Sequence, residues 1–182
     1  IVLVFSLVFI VTFIRFSSNL NSIRKRETRK IETIWCGLII FLYAALRGES
    51  VGIDVVSYCN NFIELQFHSI YEIIYSSSGF TWSRDPVFWV FMKILSFVSE
   101  NPQIMIVFIS AFVAFGVSKL IYISKSDVLL CFLLFICLRS FSFTLTGLRA
   151  ALALSFIFLS IEYLEKRKLI PFLVLMLFAF FS

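Results

Sequence analysis

The chain has 182 residues, a mean hydropathy of +1.00, 60% apolar residues and 24 phenylalanines, too much apolar surface for a soluble core of that size. A bilayer resolves the excess, because lipid solvates apolar side chains while helices satisfy their own backbone. The net charge of +5 comes from cations beside apolar runs rather than from an aromatic-interleaved basic patch, so it reads as membrane topology and not as a nucleic-acid surface.

In chain order, residues 1–16 are apolar and read as the end of a first span. Residues 17–33 are polar and carry Arg24, Lys25, Arg26, Arg29 and Lys30. A second apolar run follows at 31–46, then a long mixed loop at 47–85. Asp85-Pro86 is a helix-start signal, a capping residue ahead of proline, and Asn101-Pro102 repeats it. Between them, 86–98 is apolar apart from Lys93. It reaches only ~20 Å as helix, where a span needs roughly 30 Å. Residues 103–123 are a full-length span, and 128–143, 148–164 and 170–182 are further spans. The chain starts without methionine and ends inside an apolar run, and its first segment lacks a small-residue cleavage site. The expectation is a single transmembrane domain over 1–182, truncated at both ends and inactive as a piece.

Two topologies compete. If 86–98 crosses the membrane, Lys119, Lys125 and Lys166-Arg167-Lys168 face the opposite side from the cluster at 24–30. If it is a re-entrant or short surface helix, all the basic groups share one side, as the positive-inside rule favours. The favoured arrangement puts 24–30, 124–127 and 165–168 in the cytoplasm, and 47–85 with 139–149 on the outer face.

Those outer segments hold the unusual polar motifs. Arg47 closes the second span, and Gly48, Gly52 and Asp54 follow it. Glycines admit close backbone approach, a guanidinium fork suits phosphate, and Asp54 adds a carboxylate. The plain alternative is a snorkelling arginine beside a turn aspartate. Arg149 follows Gly147 and opens an apolar helix. Positive charge is disfavoured on that face, so Arg149 requires a partner: a lipid-linked phosphate, or Glu49, Asp54 or Asp85. Arg139 is a weaker version of the same case.

Within 60–75, Ile63, Phe67, Ile70 and Ile74 share one helical face, while Glu64, His68 and Glu72 share another. The second set has metal-ligand residue types, but the wet side of an amphipathic interfacial helix is the better reading, and no metal is expected. Trp82 and Trp89 read as interface anchors, with sugar stacking as the alternative. Cys36, Cys131 and Cys137 lie in apolar runs and Cys59 in a loop, without ligand spacing. The sequence carries no phosphate-binding loop, dinucleotide fingerprint or nucleophile elbow. Enzymes of soluble nucleotides are therefore set aside, and no cofactor is expected.

Ala45-Leu46-Arg47, with Val51-Gly52-Ile53-Asp54 and Tyr58, resembles the first outer-loop motif of the EpsG-like, Wzy-type polysaccharide polymerases that build O-antigen and exopolysaccharide. The segment 86–98 with Asn101-Pro102-Gln103 is similar to their next conserved segment. Gly147-Leu148-Arg149-Ala150-Ala151-Leu152-Ala153 resembles their Arg-Gln-hydrophobic-Ala helix start, with Ala150 where glutamine is common. The resemblance runs in order over most of the chain. It implies an all-α, polytopic, GT-C-like helical bundle with re-entrant or amphipathic outer-loop helices, in the bacterial inner membrane with its active face outward. It implies a glycosyltransferase that joins oligosaccharide repeat units carried on undecaprenyl diphosphate. Arg47, Arg149 and Arg139 are then the diphosphate-binding candidates, with Arg149 catalytic through the leaving group. Asp54, then Glu49, are the candidate bases for the acceptor hydroxyl, and Tyr58 and Trp82 the sugar contacts. The implied partners are the lipid-linked oligosaccharide, the bilayer, and flippase and chain-length-regulator proteins.

The residues alone leave rival readings open. A flippase for lipid-linked sugars would carry charges deep in several spans and internal repeats with broken helices, whereas these spans are nearly charge-free. A membrane acyltransferase acting on surface sugars is a second rival, and a purely structural assembly subunit is a third.

Overall fold

The computed structural model describes residues 2–18, 25–48, 51–52, 54–68 and 85–182, and those residues form helices and short connections without strands. The helices are α1 (Val2–Ser18), α2 (Lys25–Ala45), α3 (Val55–Leu65), α4 (Pro86–Ser96), α5 (Gln103–Ser124), α6 (Val128–Cys137), α7 (Ser140–Thr146), α8 (Leu148–Glu165) and α9 (Leu169–Phe180). Of these, α5 is long and apolar enough to cross a membrane by itself, and α6 with α7 adds a second if the bent pair is one span.

Local chemistry sets several boundaries. Pro86 opens α4, and the Asn101 side chain accepts from the Gln103 N–H at 2.8 Å to open α5. Asp127 caps α6 by accepting from the Leu130 N–H at 3.1 Å. The apolar run at 128–143 is broken. Arg139 adopts a left-handed φ of 62°, and α7 turns away from α6 by 57°. The helix α2 starts at Lys25, upstream of its apolar run, and its polar first turns hold a Lys30–Glu27 pair at 3.0 Å.

An interfacial helix is expected to turn Ile63 and Phe67 toward lipid, and α3 leaves both exposed while packing a second apolar stripe inward. Val55, Tyr58, Cys59, Phe62 and Leu65 are buried, whereas Ile63 and Phe67 are exposed. The helix begins at residue 55 rather than 60, and packing against α4 selects that stripe. Ile70, Ile74 and Glu72 lie outside the described residues.

The central helix α5 packs on α2 and α8, with α1 against α2 and α9 against α8. Small residues permit the α5–α8 approach: a Cβ on Gly116 would stand 3.2 Å from the Ser155 carbonyl oxygen and 3.4 Å from its Cα.

Polar contacts sort the helix ends into two groups. At one end, Arg15 of α1 pairs with Glu32 of α2 at 3.0 Å and with Asp127 at 2.8 Å. There Arg29 donates to the carbonyls of Ile121 and Tyr122 at the close of α5, each at 3.0 Å. Lys119 and Lys166 both pair with Glu162 at the same end. At the opposite end, Gln103 donates to the carbonyls of Ala45 at 2.8 Å and Arg47 at 3.1 Å. Arg47 donates to the Leu145 carbonyl, and the Val87 N–H donates to the Phe181 carbonyl at 3.1 Å. Thus α1, α5 and α8 run toward the first end, and α2, α6–α7 and α9 run toward the second.

Helix α4 belongs to the second end at both of its termini. Asp85 ahead of it pairs with Arg149. Beyond it, the Glu100 carbonyl accepts from the Gln66 amide at 3.1 Å. The buried Lys93 donates to the Leu65 and Gln66 carbonyls at 2.8 and 3.1 Å, so α3 and α4 lie together across that end.

Gly116→Leu is expected to force α8 away from α5 and to lower stability by about 1–3 kcal/mol, the usual cost of overpacking. Thermal unfolding in detergent checks this, and Phe115→Leu, on the exposed side of α5, is expected to change it little.

Candidate functional site

Three segments meet at the second end of the bundle: the described residues among 47–58, the start of α4, and the α7–α8 corner. The first is pinned to the corner through one carbonyl. Arg47 is 8% exposed, and its Nη1 donates to the Leu145 oxygen at 2.5 Å. Its Nε has no hydrogen-bond partner among the described residues. Burial holds the Arg47 pKa below the ordinary arginine value, although a guanidinium keeps its charge. Gly52 approaches the same carbonyl from the following turn with φ 118°. A Cβ there would stand 3.0 Å from the Leu145 oxygen and 2.7 Å from Val55 Cγ2, so both the backbone angle and the space demand glycine.

The corner presents Arg149 at the second position of α8. A cation there faces the positive end of the helix dipole, and two contacts offset the cost. Nη1 pairs with the Asp85 carboxylate, and Nε donates to the Tyr58 hydroxyl at 2.8 Å. The guanidinium carbon also lies 5.8 Å from the centre of the Tyr58 ring. The Arg149 side chain is nevertheless 41% exposed. The first N–H groups of α8 receive no side-chain cap, since Gly147 is the N-cap. A partly exposed arginine side chain at a helix N-terminus without a side-chain cap has the chemistry to receive an anion.

Tyr58 is buried with its ring edge-on to Phe88 at 5.4 Å, so it holds Arg149 instead of offering a stacking face. Asp54 stands one turn earlier on the same face of α3. It is exposed, and its carboxylate makes no hydrogen bond among the described residues, not even the N-cap bond its position allows. The structure therefore joins Arg149 to Tyr58 and Asp85 by contact, with Asp54 one turn from Tyr58 in helical register, while Arg47 meets the α7–α8 corner at Leu145.

Other expected site residues fall elsewhere. Arg139 is exposed at the α6–α7 break, and no described contact brings it to Arg149. Glu49 and Trp82 lie outside the described residues. Trp89 is 2% exposed and packs on Phe88 at 5.3 Å, so it is a core residue and not an interface anchor. Glu64 and His68 are exposed near the end of α3.

Asp85 was legible only as a helix start and as one of several partners for Arg149. Its carboxylate leaves the cap of α4 unmade and turns to the guanidinium. The roles of Lys93 and Gln103 had no local signal, because their carbonyl partners are 28 and 58 residues distant in sequence.

Gly52→Ala is expected to push the 145–147 corner outward, with a stability loss of roughly 1–3 kcal/mol from the forced backbone conformation. Equilibrium unfolding in mixed micelles reads it, with Gly48→Ala as the comparison.

The EpsG family model matches residues 30–182, which include every element of this site. No curated protein and no solved structure matches the chain.

Proposed function

The chain belongs to the EpsG family, and on that premise we propose that it polymerises lipid-linked oligosaccharide repeat units at the outer face of the bacterial inner membrane. The observation that carries the proposal is Arg149, partly exposed at a helix N-terminus without a side-chain cap and held by Tyr58 and Asp85. A phosphoanhydride is the ligand chemistry such a position favours. In this reading the bundle is polytopic and GT-C-like, and its basic end lies in the cytoplasm. The helices α3 and α4 then rest across the outer end.

The reaction moves a growing chain from its undecaprenyl diphosphate onto the terminal sugar of a new unit. The acceptor oxygen bonds to the anomeric carbon as that carbon's bond to the diphosphate oxygen breaks. The electron pair leaves with the lipid diphosphate, whose added charge Arg149 and the α8 N-terminus stabilise. Asp54 takes the acceptor proton, being the unengaged carboxylate nearest in register to Tyr58. Arg47 serves by fixing the corner that aims Arg149. Glu49 remains the second candidate base and Trp82 the sugar contact. Flippase and chain-length-regulator proteins are the expected partners.

In a deletion strain complemented by the full-length gene, Arg149→Ala is expected to abolish the long-chain polysaccharide ladder while single repeat units still reach the surface. By analogy with the loss of one transition-state donor, the residual rate is about 10²–10³-fold lower. An unchanged ladder at normal protein level would overturn the site. Loss of single units as well, with precursor trapped inside, would indicate a flippase.

A further inference from the structure

Arg149 poses a selectivity problem if the cluster lies at a membrane surface. Its side chain is 41% exposed at a helix N-terminus without a side-chain cap. Anionic phospholipid headgroups would surround such a position with phosphodiesters of net charge one, whereas in phosphatidylcholine an attached ammonium offsets that charge. An unguarded arginine there would be filled by the bilayer itself.

We propose that Asp85 is a specificity-determining residue, whose carboxylate holds Arg149 against singly charged headgroups and yields it to a diphosphate. The proposal rests on the reading that Arg149 receives a lipid diphosphate. A phosphodiester exchanging with Asp85 replaces one negative charge by another and gains little. It must also displace a carboxylate that is part of the chain and so present at high effective concentration. A diphosphate carries more charge and more acceptor oxygens, enough to engage the guanidinium fork and the α8 N–H groups together.

The displaced carboxylate has somewhere to go. Asp85 is the N-cap of α4, yet makes no cap hydrogen bond while it faces Arg149. Its backbone is anchored on the α4 side: its carbonyl accepts from the Trp89 N–H at 3.3 Å, and the Val87 N–H donates to the Phe181 carbonyl at 3.1 Å. Rotation of the side chain toward α4 would bring the carboxylate to the Phe88 N–H, the N3 donor, because Pro86 has no N–H and that of Val87 is taken by Phe181. Tyr58 keeps its hold on Nε throughout, so the guanidinium stays aimed while its counter-ion changes.

The test uses full-length protein in nanodiscs of phosphatidylcholine alone, or of phosphatidylcholine with phosphatidylglycerol, and farnesyl diphosphate as the probe, titrated calorimetrically. The wild type is expected to bind with nearly equal affinity in both lipids. Asp85→Asn is expected to bind more tightly than wild type in phosphatidylcholine. It should lose about tenfold when phosphatidylglycerol is present, the scale of one competing charge contact. Asp85→Ser serves as a second neutral variant should the first fold poorly, and Asp85→Glu is expected to restore insensitivity to the lipid.

Neutral variants that bind equally in both lipids would overturn the role of Asp85 while leaving the diphosphate site standing. Neutral variants that bind in neither lipid would make Asp85 a prop for Arg149, which also overturns it. Failure of the wild type itself to bind the probe would remove the diphosphate reading and this proposal together.

Discussion

A helix that ends away from water leaves its last four carbonyls without partners, and in an apolar surround each unmade bond costs several kcal/mol. In this chain those carbonyls are met by long polar side chains from other helices. Gln103 covers Ala45 and Arg47 at the close of α2, Lys93 covers Leu65 and Gln66 at the close of α3, and Arg29 covers Ile121 and Tyr122 in the last turn of α5. Arg47 in turn covers Leu145 near the end of α7. Each donor closes one helix while tying it to another, so satisfying the backbone also decides which helix ends meet. Two polar ends result, separated by helices whose flanks are almost wholly apolar.

That constraint divides two arginines that look equivalent in sequence. Arg47 and Arg149 both border apolar segments next to glycines. The first is spent on a carbonyl and is 8% exposed, whereas the side chain of the second is 41% exposed and answers to a carboxylate and a phenol. A backbone carbonyl is a permanent partner. A carboxylate at a helix N-cap can be exchanged for another anion without unfolding anything. The functional reading therefore falls on Arg149, with Arg47 and Gly52 as the reason its position is defined.

What was legible in the sequence is what local chemistry controls. Helix starts at Pro86 and after Asn101-Pro102 follow from proline geometry and, at Asn101, from a side-chain bond to the Gln103 N–H two residues on. The side on which the cations gather follows from their spacing between apolar runs. The break at Arg139 was legible only as the start of an outer segment, because the run from Val128 to Phe143 holds neither glycine nor proline and a left-handed arginine leaves no mark in composition. The buried face of α3 was hidden for a different reason. Ile63 and Phe67 are as apolar as Tyr58 and Phe62, and only the arrival of Phe88 and α4 chooses between the two stripes. The pairing of Arg149 with Asp85 spans 64 residues. A need for a partner was visible; which of three carboxylates met it was decided by the fold.

The proposed chemistry requires the Arg47–Arg149 cluster and the basic cluster to lie on opposite faces of one membrane, with both ends of α4 on the Arg149 side. Single cysteines at Val51, Glu100, Ser126 and Lys168, in a background with the native cysteines replaced by serine, test it in intact cells with a membrane-impermeant maleimide. Val51→Cys and Glu100→Cys are expected to label from outside, and Ser126→Cys and Lys168→Cys only after permeabilisation. Labelling of Val51→Cys and Glu100→Cys from opposite sides would mean that α4 crosses the bilayer, and would contradict the shared outer site.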